Sequence, residues 1–257
     1  MSNEDRPVML ELDHVTLDYN TGRRKKTTGI KHVLDDVSLT LFEGETLGVV
    51  GRNGVGKTTM LRLMAQIIAP TEGTVTIRRG KSAALLTLGL GFKNDLSGRD
   101  NALLAAVLQG STRKQAESFL DEIMEFSELG DAFYQPVKSY SAGMRSRLGF
   151  TTALVTHVDI LLVDEVLSVG DAQFRQKALE AMKARITGDQ TVVFVSHMAE
   201  QVRDLCDRVV WLERGKVQAI GDTETVMDQY GDSMLETAKG QVERFLEEVD
   251  RKKNIQG

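Results

Sequence analysis

Residues 51–58 read GRNGVGKT, and no other stretch limits the fold as strongly. The spacing fits G-x-x-x-x-G-K-S/T, which arises by chance roughly once in a hundred chains of this length. The loop sits between a short apolar run at 46–50 (TLGVV) and a segment, TTMLRLMAQIIA, with helical periodicity. Met60, Leu61, Met64, Ile67 and Ile68 mark its apolar face, and Pro70 and Gly73 are expected to stop it. Strand, glycine loop, helix is the context that gives this motif its meaning. Glycines let backbone N–H groups turn inward around phosphate oxygens. The helix aims its positive end at the same point. Lys57 then reaches the β- and γ-phosphates of ATP, and Thr58 offers its hydroxyl to Mg2+. Gly51, Asn53, Gly54, Gly56, Lys57, Thr58 and Thr59 are the candidate ATP contacts.

Two more apolar runs, ILLV at 160–163 and VVFV at 192–195, resemble the first. Each is too short for a helix and apolar on both faces, the pattern of a buried parallel strand. Each ends in polar residues, DEVLSVGD and SH. Ligands of open α/β sheets bind beyond the carboxyl ends of the strands, so these segments point at one rim. Asp164 is the expected Mg2+ partner, partly through water, because Mg2+ keeps much of its hydration shell. Glu165 is placed to polarise an attacking water, and phosphoryl transfer asks little more than positioning and charge neutralisation. His197 is placed to touch the γ-phosphate.

The expected fold is α/β, with a mostly parallel core sheet and an N-terminal antiparallel β part at 9–17 and 33–41, where apolar and polar residues alternate. A mostly helical insertion occupies 92–155. VVWLERGKVQAIG reads as a hairpin around Arg214 and Gly215, and the last 25 or so residues as an amphipathic helix. The expected organisation is therefore an ATP-binding core with a β subdomain at 1–91 and 156–231, a helical subdomain at 92–155, and a tail at 232–257. The longest apolar run, 102–108, is far short of the about 20 residues a membrane helix needs. The polar start MSNEDRPV is not expected to be a signal peptide. A net charge of −5 disfavours a nucleic-acid partner, and a single cysteine fits a reducing compartment.

In this order the motifs resemble the nucleotide-binding subunits of ABC transporters, over about residues 8–231. YSAGM at 140–144 falls where that family has a signature usually written LSGGQ. Ser141 and Gly143 match; Tyr140, Ala142 and Met144 depart. The resemblance implies a P-loop ATPase that pairs head to tail with a second copy of itself. The signature, Ser141, Ala142 and Gly143, would close in trans over ATP held by the other copy. Asp171, in SVGD where most of the family has SALD, would contact the opposing phosphate loop. Tyr19 resembles the aromatic residue that stacks on adenine. The departures, with GFKNDLSGRDN and DEVLSVGD, look like the branch that exports O-antigen, capsule or teichoic acid. That implies an integral membrane permease as partner, two copies of each, with this chain at the cytoplasmic face of the membrane. The family's usual glutamine at the start of the insertion is missing from LTLGLGFKNDLSG, so the coupling residue is unassigned; Gly89 and Gly91 are candidate flexible points.

Two other functions compete with the exporter motor. One is a soluble ATPase acting on nucleic acid or ribosomes, which the acidic balance and the lack of a second ATPase unit disfavour. The other is a nucleotide-dependent scaffold without turnover, which would not need Glu165. With about 25 residues beyond the core, no glycan-binding C-terminal domain is expected, and glycan selection should lie elsewhere.

Overall fold

The computed structural model describes residues 6–20, 30–86, 89, 91–164 and 170–255, with backbone only at 20, 30, 31 and 240–255. Two sheets form the body. Strands β1 (Val8–Asn20), β2 (Ile30–Phe42) and β4 (Glu72–Ile77) make an antiparallel sheet in the order β2-β1-β4. The second sheet also contains β3 (Thr46–Val50), β5 (Ala83–Leu85), β6 (Ile160–Asp164), β7 (Thr191–Val195), β8 (Arg208–Glu213) and β9 (Lys216–Asp222), in the order β5-β6-β7-β3-β8-β9. All its pairings are parallel except β8 with β9. β3 and β7 are buried at every position, and β6 at all but its last, as their unbroken apolar runs require. The β8–β9 turn places Arg214 at φ 50° and Gly215 at φ 80°, two successive left-handed residues that suit the twist of a tight hairpin.

Register aligns the three central strand ends. Asp164 pairs with Val195, and Val49 pairs with Val195 from the other side. The phosphate loop, Asp164 and His197 therefore leave the sheet at one edge. An ion pair braces the opposite end of β3: buried Glu45 meets Arg208 at 2.8 Å and accepts from Phe42 N at 2.8 Å. Desolvation raises the Glu45 pKa, and the Phe42 N–H and Arg208 offset part of that rise.

Helix α1 (Lys57–Met64) is shorter than its apolar pattern suggests. Gln66 adopts φ 53°, Ile67 N donates to Arg62 O at 2.9 Å, and Gln66 N donates to Leu63 O at 2.9 Å. These are the paired bonds of a Schellman stop, built here on a glutamine instead of the usual glycine. Ile67 ends up exposed and outside the helix.

The insertion is a cluster of shorter helices: α2 (Gly98–Leu108), α3 (Arg113–Ser118), α4 (Leu120–Ser127) and α5 (Ala142–Val155). Ser97 caps α2, and a reciprocal capping box between Thr112 and Gln115 starts α3. Their apolar faces meet around Ile123, Phe133, Val137 and Leu148. Helix α6 (Ala172–Ile186) and α7 (Ala199–Leu205) follow β6 and β7. The C-terminal helix α8 (Thr223–Ile255) starts straight after β9, so the expected boundary at 231/232 falls inside a continuous helix. Its first turns anchor it through buried Val226 and Met227 and through Tyr230, 5.8 Å from Trp211 edge to face.

Candidate functional site

At the sheet edge lies a cleft of about 410 Å³, lined by Tyr19, Val33, Asn53, Gly54, Gly56, Lys57, Thr58, Thr59, Asp164 and His197. Candidates from four distant stretches of sequence thus share one space. Val33 carries no signal in the sequence, because a lone strand valine has no chemistry of its own. Gly51 does not line the cleft. A Cβ there would lie 2.1 Å from Leu212 O, so its glycine serves close packing against β8. Gly56, at φ 113°, has Val33 O at 2.8 Å from the same imagined atom. Gly54, at φ 80°, has open space around it, so only its backbone conformation favours glycine.

Lys57 is 7% exposed, and its ammonium donates to Gly51 O at 2.7 Å and Arg52 O at 3.1 Å. Burial lowers its pKa, and the nearby Asp164 carboxylate pushes it part of the way back. A phosphate arriving here meets a cation already desolvated and already bent over the loop. Thr58 and Asp164 offer a hydroxyl and a carboxylate in the same cleft. Among the described residues no cluster of three or more His, Cys, Asp or Glu could form an all-protein metal cage. Two hard oxygen donors suit Mg2+, which takes its other ligands from water and phosphate. Glu165 and Ser168, like the basic run Arg23–Lys26, lie outside the described residues. Gly89 and Gly91 both have positive φ, at 71° and 72°.

Ser141, Ala142, Gly143 and Asp171 do not line this cleft. Ser141 is the N-cap of α5, its Oγ accepting from Met144 N at 3.1 Å. The bond uses a lone pair, so the hydroxyl proton can still be donated outward. The amides of Ala142 and Gly143 belong to the unpaired first turn of the helix. A Cβ on Gly143 would meet nothing closer than Ser141 Oγ at 3.8 Å. Packing within this chain therefore does not demand glycine there. Asp171 caps α6, accepting from Phe174 N at 3.0 Å, and pairs with Arg147 on α5.

Tyr140 opens the YSAGM stretch, and the structure supplies a reason for its ring. It is buried, and its hydroxyl donates to Ala132 O at 2.6 Å. A Cβ on Gly98 would fall 2.1 Å from that hydroxyl oxygen and 2.9 Å from Phe133 O. Gly98→Ala is expected to cost about 1–3 kcal/mol by overpacking. Adding Tyr140→Phe should return part of the loss, since it removes the closer oxygen. Urea unfolding of the single and double variants measures both. Equal stability of Gly98→Ala and the parent would contradict the contact.

The sequence matches the family described as ABC transporter over residues 34–168. It is 37% identical to the teichoic acids export ATP-binding protein TagH of Staphylococcus saprophyticus, over 95% of this chain and 97% of that one. It is 39% identical to the TagH of Levilactobacillus brevis, over 88% of this chain but 65% of that one. It is 41% identical to the O-antigen export system ATP-binding protein RfbB of Klebsiella pneumoniae, over 78% and 81% of the two chains. In fold it resembles a dimeric post-hydrolysis state of the ATP-binding cassette MJ0796 bound to ADP and Pi. That match has a TM-score of 0.67 at 23% identity and covers 84% of this chain and 99% of that one. It also resembles an ATP-binding subunit of an ABC transporter, with a TM-score of 0.70 at 20% identity, over 87% and 93% of the two chains.

Proposed function

The chain belongs to the ABC transporter family, and from that premise we propose that it is the ATP-hydrolysing motor of an exporter for a cell-surface polysaccharide. The observation that carries the ATPase is the shared cleft of Lys57, Thr58, Asp164 and His197. The substrate class rests on the teichoic acid and O-antigen export relatives.

In the proposed cycle, ATP lies on the phosphate loop with adenine against Tyr19. Lys57 turns from the Gly51 and Arg52 carbonyls toward the β- and γ-phosphates. Thr58 and Asp164 would hold Mg2+, which when bound neutralises phosphate charge. Glu165 orients water for in-line attack, and His197 contacts the γ-phosphate from the end of β7. A second copy then docks head to tail. Its Ser141 hydroxyl and the amides of Ala142 and Gly143 meet the γ-phosphate at the positive end of α5. The unneeded glycine at 143 supports this, since open space in one chain leaves room for a close approach by another. Asp171 faces the opposing phosphate loop. ATP binding closes the dimer, hydrolysis opens it, and an integral membrane permease follows the movement. No described helix is long and apolar enough to cross a membrane. The chain sits against the cytoplasmic face, in a complex of two motors and two permeases.

In the native cell, replacing this chain by its Glu165→Gln variant is expected to trap a lipid-linked glycan inside. Extraction and mass analysis of lipid-linked saccharides measures it. Normal surface glycan with no internal build-up would overturn the exporter assignment. A soluble ATPase acting on nucleic acid or ribosomes would give that result, and would also fail to co-purify with a membrane protein in mild detergent.

A further inference from the structure

Two elements proposed to act on the second copy's ATP are helix starts in this chain: Ser141 caps α5 and Asp171 caps α6. They are 30 residues apart in sequence, and one side chain joins them. Arg147 lies about 9 Å along α5 from Ser141. Its guanidinium pairs with the Asp171 oxygen that does not cap α6. It also reaches Glu128, at the end of α4, at 3.7 Å, and lies 5.1 Å from the Phe174 ring centroid in the first turn of α6. Glu128 is held in turn by Lys177 of α6 at 2.7 Å. Arg147 is 21% exposed, against 56% for Asp171 and 46% for Glu128, so the cation is the inner member of the group.

Half-exposed ion pairs add little to stability. What this one provides is geometry. The planar guanidinium can hold two carboxylates while stacking on a ring, which an ammonium cannot do. We infer that Arg147 is a positioning residue that fixes Ser141 and Asp171 as one rigid face presented to the second copy. The inference rests on the head-to-tail dimer proposed above. A face loosened by about 1 Å costs up to a hundredfold in rate. ATP binding within the same chain does not use this face.

The test uses two inactive full-length chains. One carries Ser141→Arg, which spoils the face it presents but leaves its own Lys57. The other carries Lys57→Ala, which spoils its own loop but leaves its face. Mixed together, they rebuild one working site. Adding Arg147→Ala to the Lys57→Ala chain should cut the rebuilt ATPase tenfold to a hundredfold. Adding it to the Ser141→Arg chain should not, because that face is already disabled. Arg147→Lys on the Lys57→Ala chain should restore part of the rate, and it serves as the second variant if alanine impairs folding. Equal losses from both placements, or none from either, would overturn the inference. If the parent mixture rebuilds no activity, the head-to-tail reading itself fails and this proposal falls with it.

Discussion

Replacing Glu165 by glutamine is expected to cut ATP turnover about a thousandfold while ATP still binds, within the 10²–10⁴ range for losing a general base. Glutamine keeps the shape of the side chain and removes the charge proposed to orient and polarise water. The proposed phosphate contacts belong to the loop at 51–58, Lys57 among them, so affinity should stay within about threefold, less than 1 kcal/mol. With hydrolysis stopped, the closed dimer should persist. Three measurements check this: steady-state phosphate release, equilibrium ATP binding, and gel filtration with ATP. The variant should elute as a dimer with ATP, where the parent returns to monomer. Parent-like turnover would show that another group positions the water. The prediction depends on Glu165 directly following Asp164 in the sequence, since Asp164 is the last residue of β6 and lines the cleft.

Lys57→Ala should act earlier, on binding itself. Loss of a buried charge-assisted contact typically costs several kcal/mol, so ATP affinity should fall about a hundredfold and turnover should reach background. The same lysine gives a pH dependence with a definite sign. Burial lowers its pKa from the usual lysine value. Only the ammonium attracts phosphate, so affinity holds below this lowered value and weakens as pH rises through it, before an exposed lysine would titrate. The linkage to folding has the opposite sense. Folding disfavours the ammonium, so its unfavourable contribution to stability is present below the folded pKa and relaxes as pH rises through it. ATP titrations from pH 7 to 10 measure the first effect. A flat profile, or an alanine variant that binds like the parent, would remove Lys57 from the site.

Elements buried on both faces were the easiest to read from sequence. β3, β6 and β7 follow from TLGVV, ILLV and VVFV because such runs have few other uses. β4 carries no clear strand signal because its alternation is borne by threonines on an exposed surface, and β5 carries none because three residues leave no pattern. α1 ends earlier than its apolar pattern suggests because Gln66 makes a turn that glycine usually signals. The insertion reads as helical, but its division into α2, α3 and α4 depends on caps at Ser97 and Thr112. In the site, residues with intrinsic chemistry were legible, and those whose meaning is purely spatial were not. Tyr140 reads as a mismatch until Gly98 is beneath it. Arg147 reads as one more helix charge until Asp171 and Glu128 are found on either side.

Each ATP site is proposed to be completed by the second copy. Mixing the Lys57→Ala and Ser141→Arg chains separates this arrangement from one completed within a single chain. Each chain alone should be inactive. In a head-to-tail dimer the mixture contains one site with an intact Lys57 from one chain and an intact Ser141 from the other. Random pairing makes half of the dimers mixed, each with one of its two sites rebuilt, so ATPase should recover to about a quarter of the parent rate if the sites fire independently. If Lys57 and Ser141 serve the same site from within one chain, every site in the mixture is damaged, and activity would stay at the background of the separate variants.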